Sequence, residues 1–237
     1  MKIGGLERLT LIDYPGKVAA TVFTVGCNFR CPYCYSSEIV IPEKIENQPI
    51  IPEQEFFDFL EDRKGLLEGI VVCGGEPTIH QDLPDFIKKI KEKGFLVKLD
   101  SNGSNPKALD SLIRNKLIDY VAMDIKGPKE KYGLMTGLND QWSKIMMEKI
   151  EKSINILKSN KVDYEFRTTV VPDVLKKEDI FKIANWIKPA KKYYLQSYIT
   201  EKATIDPEFM KKKPYSEEFL LEIQKEISPF FDICKVR

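Results

Sequence analysis

The sequence predicts an α/β fold, specifically an incomplete (β/α)6 barrel that stays open on one side. Six apolar, β-branched segments each precede an amphipathic segment, so the strands run parallel and are joined by right-handed crossovers. A doubly wound sheet would share that alternation. A second observation favours the barrel. Polar and glycine signals recur at the C-terminal ends of the strands, the rim on which (β/α) barrels build their chemistry. These are Cys27 onward, Gly74-Gly75-Glu76, Asp100-Ser101-Asn102, Asp124-Ile125-Lys126 and Gln196. Third, only six such units fit in the 237 residues, too few for a closed eightfold ring.

The strands are read at 18–25, 69–73, 95–100, 120–123, 163–171 and 193–196. Helices are read at 52–64, 83–93, 106–115, 141–160, 177–187 and 216–227. Pro106 suits a first helical turn, and Gly94 ends the helix before it. The stretch from the cysteines to Pro52 reads as a long loop, and 230–236 as a tail or edge strand. The chain is taken as a single domain over 1–237: a leader at 1–17, the partial barrel at 18–197, and a C-terminal helix and tail at 198–237.

A net charge of +1 supplies no global field for polyanions, which disfavours nucleic acid as the main partner. No apolar run is long enough for a bilayer, and the N-terminus lacks the apolar core of a signal peptide. The protein is expected to be cytoplasmic, with no membrane partner. Five cysteines, three of them within eight residues, argue against a disulfide framework and for metal binding.

Those three are Cys27, Cys31 and Cys34. Thiolates are the usual ligands of iron–sulfur clusters, and three ligands on a four-iron cluster leave one iron open for catalysis. The competing reading is a zinc site completed by His80, the single histidine. Cys73 ends the neighbouring strand and is taken as packing. His80 is otherwise a loop or helix-cap residue.

A CxxxCxxC triplet with an aromatic residue, Tyr33, just before its last cysteine resembles the radical S-adenosylmethionine (radical SAM) superfamily. The resemblance implies a barrel of the radical SAM type, a [4Fe–4S] cluster on Cys27, Cys31 and Cys34, and S-adenosylmethionine on the open iron. Further positions carry it. Gly74-Gly75-Glu76-Pro77 resembles the motif that meets the cofactor's amino group, with Glu76 accepting from the ammonium. Asp100-Ser101-Asn102-Gly103 resembles a ribose-contacting segment, and would form an Asx turn with a left-handed glycine in any case. Asp124-Ile125-Lys126 resembles the cofactor-contacting triplet of glycyl-radical-enzyme activases, which also implies a monovalent cation near Asp100 and Asp124, held partly by backbone oxygens. A buried Arg167 requires an anion, for which the cofactor carboxylate is the candidate. Gln196 is placed over the adenosine.

The leader from Gly4 to Lys17 and the triplet together resemble the anaerobic ribonucleoside-triphosphate reductase activating proteins. That resemblance implies a glycyl radical enzyme, like anaerobic ribonucleotide reductase, as partner, and a low-potential electron donor. Two other functions stay open: a small-molecule radical enzyme resembling 7-carboxy-7-deazaguanine synthase, and a non-enzymatic iron–sulfur carrier or zinc-binding structural protein.

Overall fold

The computed structural model describes residues 1–237. Eight strands form one sheet in the order of the sequence: β1 (Ile3–Thr10), β2 (Ala19–Thr24), β3 (Gly69–Gly74), β4 (Leu96–Ser101), β5 (Tyr120–Asp124), β6 (Asp163–Thr169), β7 (Ala190–Gln196) and β8 (Phe231–Val236). β1 runs antiparallel to β2, and every later neighbour is parallel. β1 and β8 do not pair, so the barrel is open, as the sequence predicts.

The six predicted strands are β2 to β7. The two ends differ from the reading. The leader contributes β1, whose register slips at two points along β2. The tail is β8, a parallel edge strand on β7. The loop after the cysteines holds two short helices, α1 (Ser37–Val40) and α2 (Pro42–Ile45). The others are α3 (Glu53–Asp62), α4 (Leu83–Glu92), α5 (Pro106–Arg114), α6 (Tyr132–Thr136), α7 (Asp140–Lys158), α8 (Lys177–Ile187) and α9 (Glu217–Ile227). Side chains of Asn105, Asn139 and Ser216 cap α5, α7 and α9 by accepting otherwise orphaned N–H groups.

Alternation along the strands separates two environments. Ile70, Val72, Val97, Leu99, Val121, Met123, Tyr164, Phe166, Tyr193 and Leu195 join a cluster of 51 buried apolar residues that also holds the helix faces. The opposite face of the sheet is the lumen. A small apolar group of Tyr14, Ala19, Val71 and Tyr120 packs there. The residues alternating with the outer ones are Lys98 and Asp100 on β4, Asp124 on β5, and Glu165 and Arg167 on β6. The helices thus bury the outer face for stability, and the lumen holds charged groups beside that small apolar cluster. No helix is long and apolar enough to cross a membrane.

Candidate active site

The lumen charges meet at the C-terminal ends of β4, β5 and β6. Arg167 donates from Nη1 to Asp100 Oδ2 at 2.9 Å and from Nε to Asp124 Oδ1 at 2.8 Å. Lys126 donates to Asp124 Oδ2 at 2.9 Å, and Lys98 pairs with Asp100 Oδ1. Three cations therefore face two carboxylates, leaving one positive charge in excess. Lys98, Asp100 and Arg167 are nearly closed from solvent, whereas Asp124 and Lys126 keep 25% and 20% of their side-chain surface open. Burial alone would raise both carboxyl pKa values. The guanidinium of Arg167, with Lys98 and Lys126, outweighs it and holds both below the usual range. The anion that a buried Arg167 requires is thus supplied by the protein itself.

The turn after β3 is built by close backbone contact. A Cβ on Gly75 would lie 1.8 Å from the Gly26 carbonyl oxygen, and Gly74 has φ of +118°. The Glu76 N–H donates to that same Gly26 oxygen at 2.8 Å. These glycines let the chain approach itself, at the start of the cysteine loop. Pro77 opens a single 3-10 turn that His80 closes, which is the cap role read for it. The Glu76 carboxylate is fully buried. Its Oε1 accepts from the Thr78 N–H and hydroxyl and from the Ser101 hydroxyl, and its Oε2 accepts the Asn102 N–H. Burial raises its pKa despite these donors. The Asn102 side chain accepts the Ser104 N–H at 2.9 Å and Gly103 has φ of +74°, the Asx turn the sequence predicts.

The cysteine loop is tied at four points. Asn28 donates to Ser104 and accepts from Asn102. The Arg30 N–H reaches Thr136 O at 2.8 Å, while its guanidinium curls back onto the carbonyls of Cys27 and Phe29. Pro32 O accepts from Asp206 N, and Cys34 O from Ile205 N. The three thiols are free. Burial pushes Cys27 up to about 11 and Cys31 up to about 12, so the thiolates form only against a compensating positive charge. Cys27 Sγ already accepts the Phe29 N–H at 3.4 Å. No three Cys, His, Asp or Glu side chains converge on one ion position.

The structure brings the cysteine loop, Glu76, Asn102 and the Asp100–Arg167–Asp124 group to one rim. Tyr33, within the loop, is buried, its hydroxyl without a partner and its ring 6.4 Å from that of Phe209. Gln196 ends β7 opposite Thr169, farther along the rim. Cys73 lies on the lumen face of β3, and Cys234 is packed into the core from β8. Three participants were not read from the sequence: Lys98, Glu165 and Asn28.

Residues 21–187 match the Radical SAM superfamily, a span holding all three clustered cysteines and the ends of β2 to β6. The chain belongs to the radical SAM superfamily. A Methanocaldococcus jannaschii protein, provisionally named a glycyl-radical enzyme activating enzyme, is 37% identical over 238 residues, 99% of this chain and 95% of that one. The 7-carboxy-7-deazaguanine synthase of Aquifex aeolicus is 31% identical over 81 residues, 33% of each chain. The crystal structure of QueE from Escherichia coli is alike in fold, with a TM-score of 0.54 over 98% of this chain and 92% of that one at 14% identity. Membership of the radical SAM superfamily implies a [4Fe–4S] cluster and S-adenosylmethionine. Three free thiols on one tethered loop match the thiolate donor set of such a cluster.

Proposed function

We propose that the chain reductively cleaves S-adenosylmethionine and uses the product radical to activate a partner enzyme at a glycine. Cys27, Cys31 and Cys34 hold the cluster. When bound, the cluster would pass one electron to S-adenosylmethionine, breaking a C–S bond to give methionine and a 5′-deoxyadenosyl radical that could take a hydrogen atom from a glycine Cα. The partner is a glycyl radical enzyme resembling anaerobic ribonucleotide reductase, and a low-potential donor provides the electron.

The chain's own residues bind and orient. The excess positive charge of the Lys98, Lys126 and Arg167 group receives the methionine carboxylate. Glu76 keeps a lone pair on Oε2 for the ammonium, beside the turn of Gly74, Gly75 and Pro77. Asp100, Ser101 and Asn102 line the ribose, and Tyr33 and Gln196 the adenosine. The open barrel leaves an edge through which a polypeptide can enter.

The observation that carries the activating role is the 37% identity with the Methanocaldococcus protein, which runs over nearly the whole of both chains. The match to the deazaguanine synthase covers a third of each. The test is anaerobic incubation of the reconstituted, reduced protein with S-adenosylmethionine and glycyl radical enzymes of the same organism. 5′-Deoxyadenosine and a glycyl radical doublet in electron paramagnetic resonance are expected. 5′-Deoxyadenosine formed only with a small-molecule substrate, and no doublet, would rule out the activating role.

A further inference from the structure

The resemblance places a monovalent cation near Asp100 and Asp124, partly on backbone oxygens, and the carboxylates there do not fit one. All four carboxylate oxygens are engaged. Asp100 Oδ1 accepts from Lys98 and Oδ2 from Arg167 Nη1, while Asp124 Oδ1 accepts from Arg167 Nε and Oδ2 from Lys126. One guanidinium thus spans both carboxylates with its planar fork. A bound Na⁺ or K⁺ would lie against oxygens that each already face a cationic donor, and would add a charge to a group that already has one positive charge in excess.

The lumen beneath explains why Arg167 points at this pair. Glu165 lies two residues earlier on the same face of β6 and is fully buried. It would compete for Arg167, but its carboxylate is already taken. Arg237 donates from Nη1 to Oε1 at 2.9 Å and from Nη2 to Oε2 at 3.2 Å, and the Tyr120 hydroxyl donates to Oε2 at 2.9 Å. The Arg237 guanidinium is itself fixed over the Tyr194 ring, 3.4 Å from its centre. With Glu165 satisfied from the open side of the barrel, Arg167 is released to Asp100 and Asp124.

We infer that Arg167 is the resident cation of this site: its guanidinium bridges Asp100 and Asp124 in place of a bound monovalent ion, so that cofactor binding is independent of Na⁺ and K⁺. Arg237 is a positioning residue for it, acting through Glu165. The inference rests on the cofactor site proposed above and deepens it.

The test measures S-adenosylmethionine affinity by calorimetry on the reconstituted protein, without reductant, in choline, sodium and potassium chloride at equal ionic strength. The wild-type dissociation constant is expected to agree within about twofold across the three salts. Arg167→Met is expected to bind about tenfold or more weakly in choline, and to recover at least about threefold in sodium or potassium, which refill the vacated position. Arg237→Met frees Glu165 to draw Arg167 away, and is expected to gain the same cation dependence; it serves as well if Arg167→Met fails to fold. Wild-type binding that strengthens more than twofold in sodium or potassium overturns this inference alone, as does a variant that stays indifferent to the cation. No binding in any salt overturns the cofactor site together with the inference.

Discussion

The carboxylate of Glu76 accepts the backbone N–H of Asn102 at 2.6 Å, joining the turn after β3 to the turn after β4. Glu76 therefore shapes the rim before any cofactor is bound. Glu76→Ala leaves the Thr78, Ser101 and Asn102 donors buried without an acceptor, at a cost of about 2–4 kcal/mol. A fall in the thermal midpoint of the cofactor-free protein is expected. An unchanged midpoint, with cofactor affinity alone reduced, would show that the carboxylate serves only the ligand.

Asp124 gives the site a defined response to acid. Burial works against its ionised form, but Arg167 and Lys126 more than compensate, so its folded pKa lies below its unfolded value of about 3.9. A depressed carboxyl pKa contributes stability that is fully present above the unfolded pKa. That stability is lost as pH falls toward the lower folded one. Thermal midpoints measured from pH 5 downward should therefore drop more steeply below about pH 4 for the wild type than for Asp124→Asn. Parallel curves would remove Asp124 from this account.

Gly75→Ala is expected to be the most damaging small substitution on the rim. Its Cβ would lie 1.8 Å from the carbonyl oxygen of Gly26, and backbone on both sides leaves nothing flexible to yield. The prediction is a sharply reduced yield of folded protein and no stable cluster. Gly16→Ala is a useful control. Gly16 also has a positive φ, but nothing lies within 4 Å of the added carbon, so only about 1 kcal/mol of backbone strain is expected.

Loss of ligation and loss of tethering should separate experimentally. Cys31→Ala removes one of the three proposed ligands and is expected to abolish both bound iron after desalting and all formation of 5′-deoxyadenosine. Asn28→Ala removes two hydrogen bonds, to Ser104 and Asn102, worth about 1–3 kcal/mol together. It should retain iron at first and lose it faster under a chelator. Full cluster content in Cys31→Ala would refute its assignment as a ligand.

Much of the site was legible because its residues stand at strand ends, where apolar periodicity stops and glycine, carboxylate and cysteine signals begin. The six central strands were legible for the same reason. β1 was not, since Gly4 and Gly5 interrupt its pattern. A Cβ on Gly4 would lie 2.6 Å from the Ile39 side chain, so packing demands glycine where strand propensity would not. The protein anions that pair with Arg167 were not foreseen, because Asp100 and Asp124 were read as cofactor contacts. β5 and β6 pair with Asp124 directly opposite Arg167, a register fixed by the assembled sheet. Lys98 and Glu165 left a readable trace, a charge at alternate positions of otherwise apolar strands. The tethers of the cysteine loop left none, because their partners lie far along the chain.

Those tethers set an order of events during synthesis. Cys27, Cys31 and Cys34 leave the ribosome early, but Thr136, Ile205 and Asp206, which fix the loop around them, emerge much later. The thiols thus spend most of translation without the tethers that hold their loop in place. Faithful loading is expected only after release of a nearly complete chain, and nascent chains stalled before residue 204 should take up zinc as readily as a cluster.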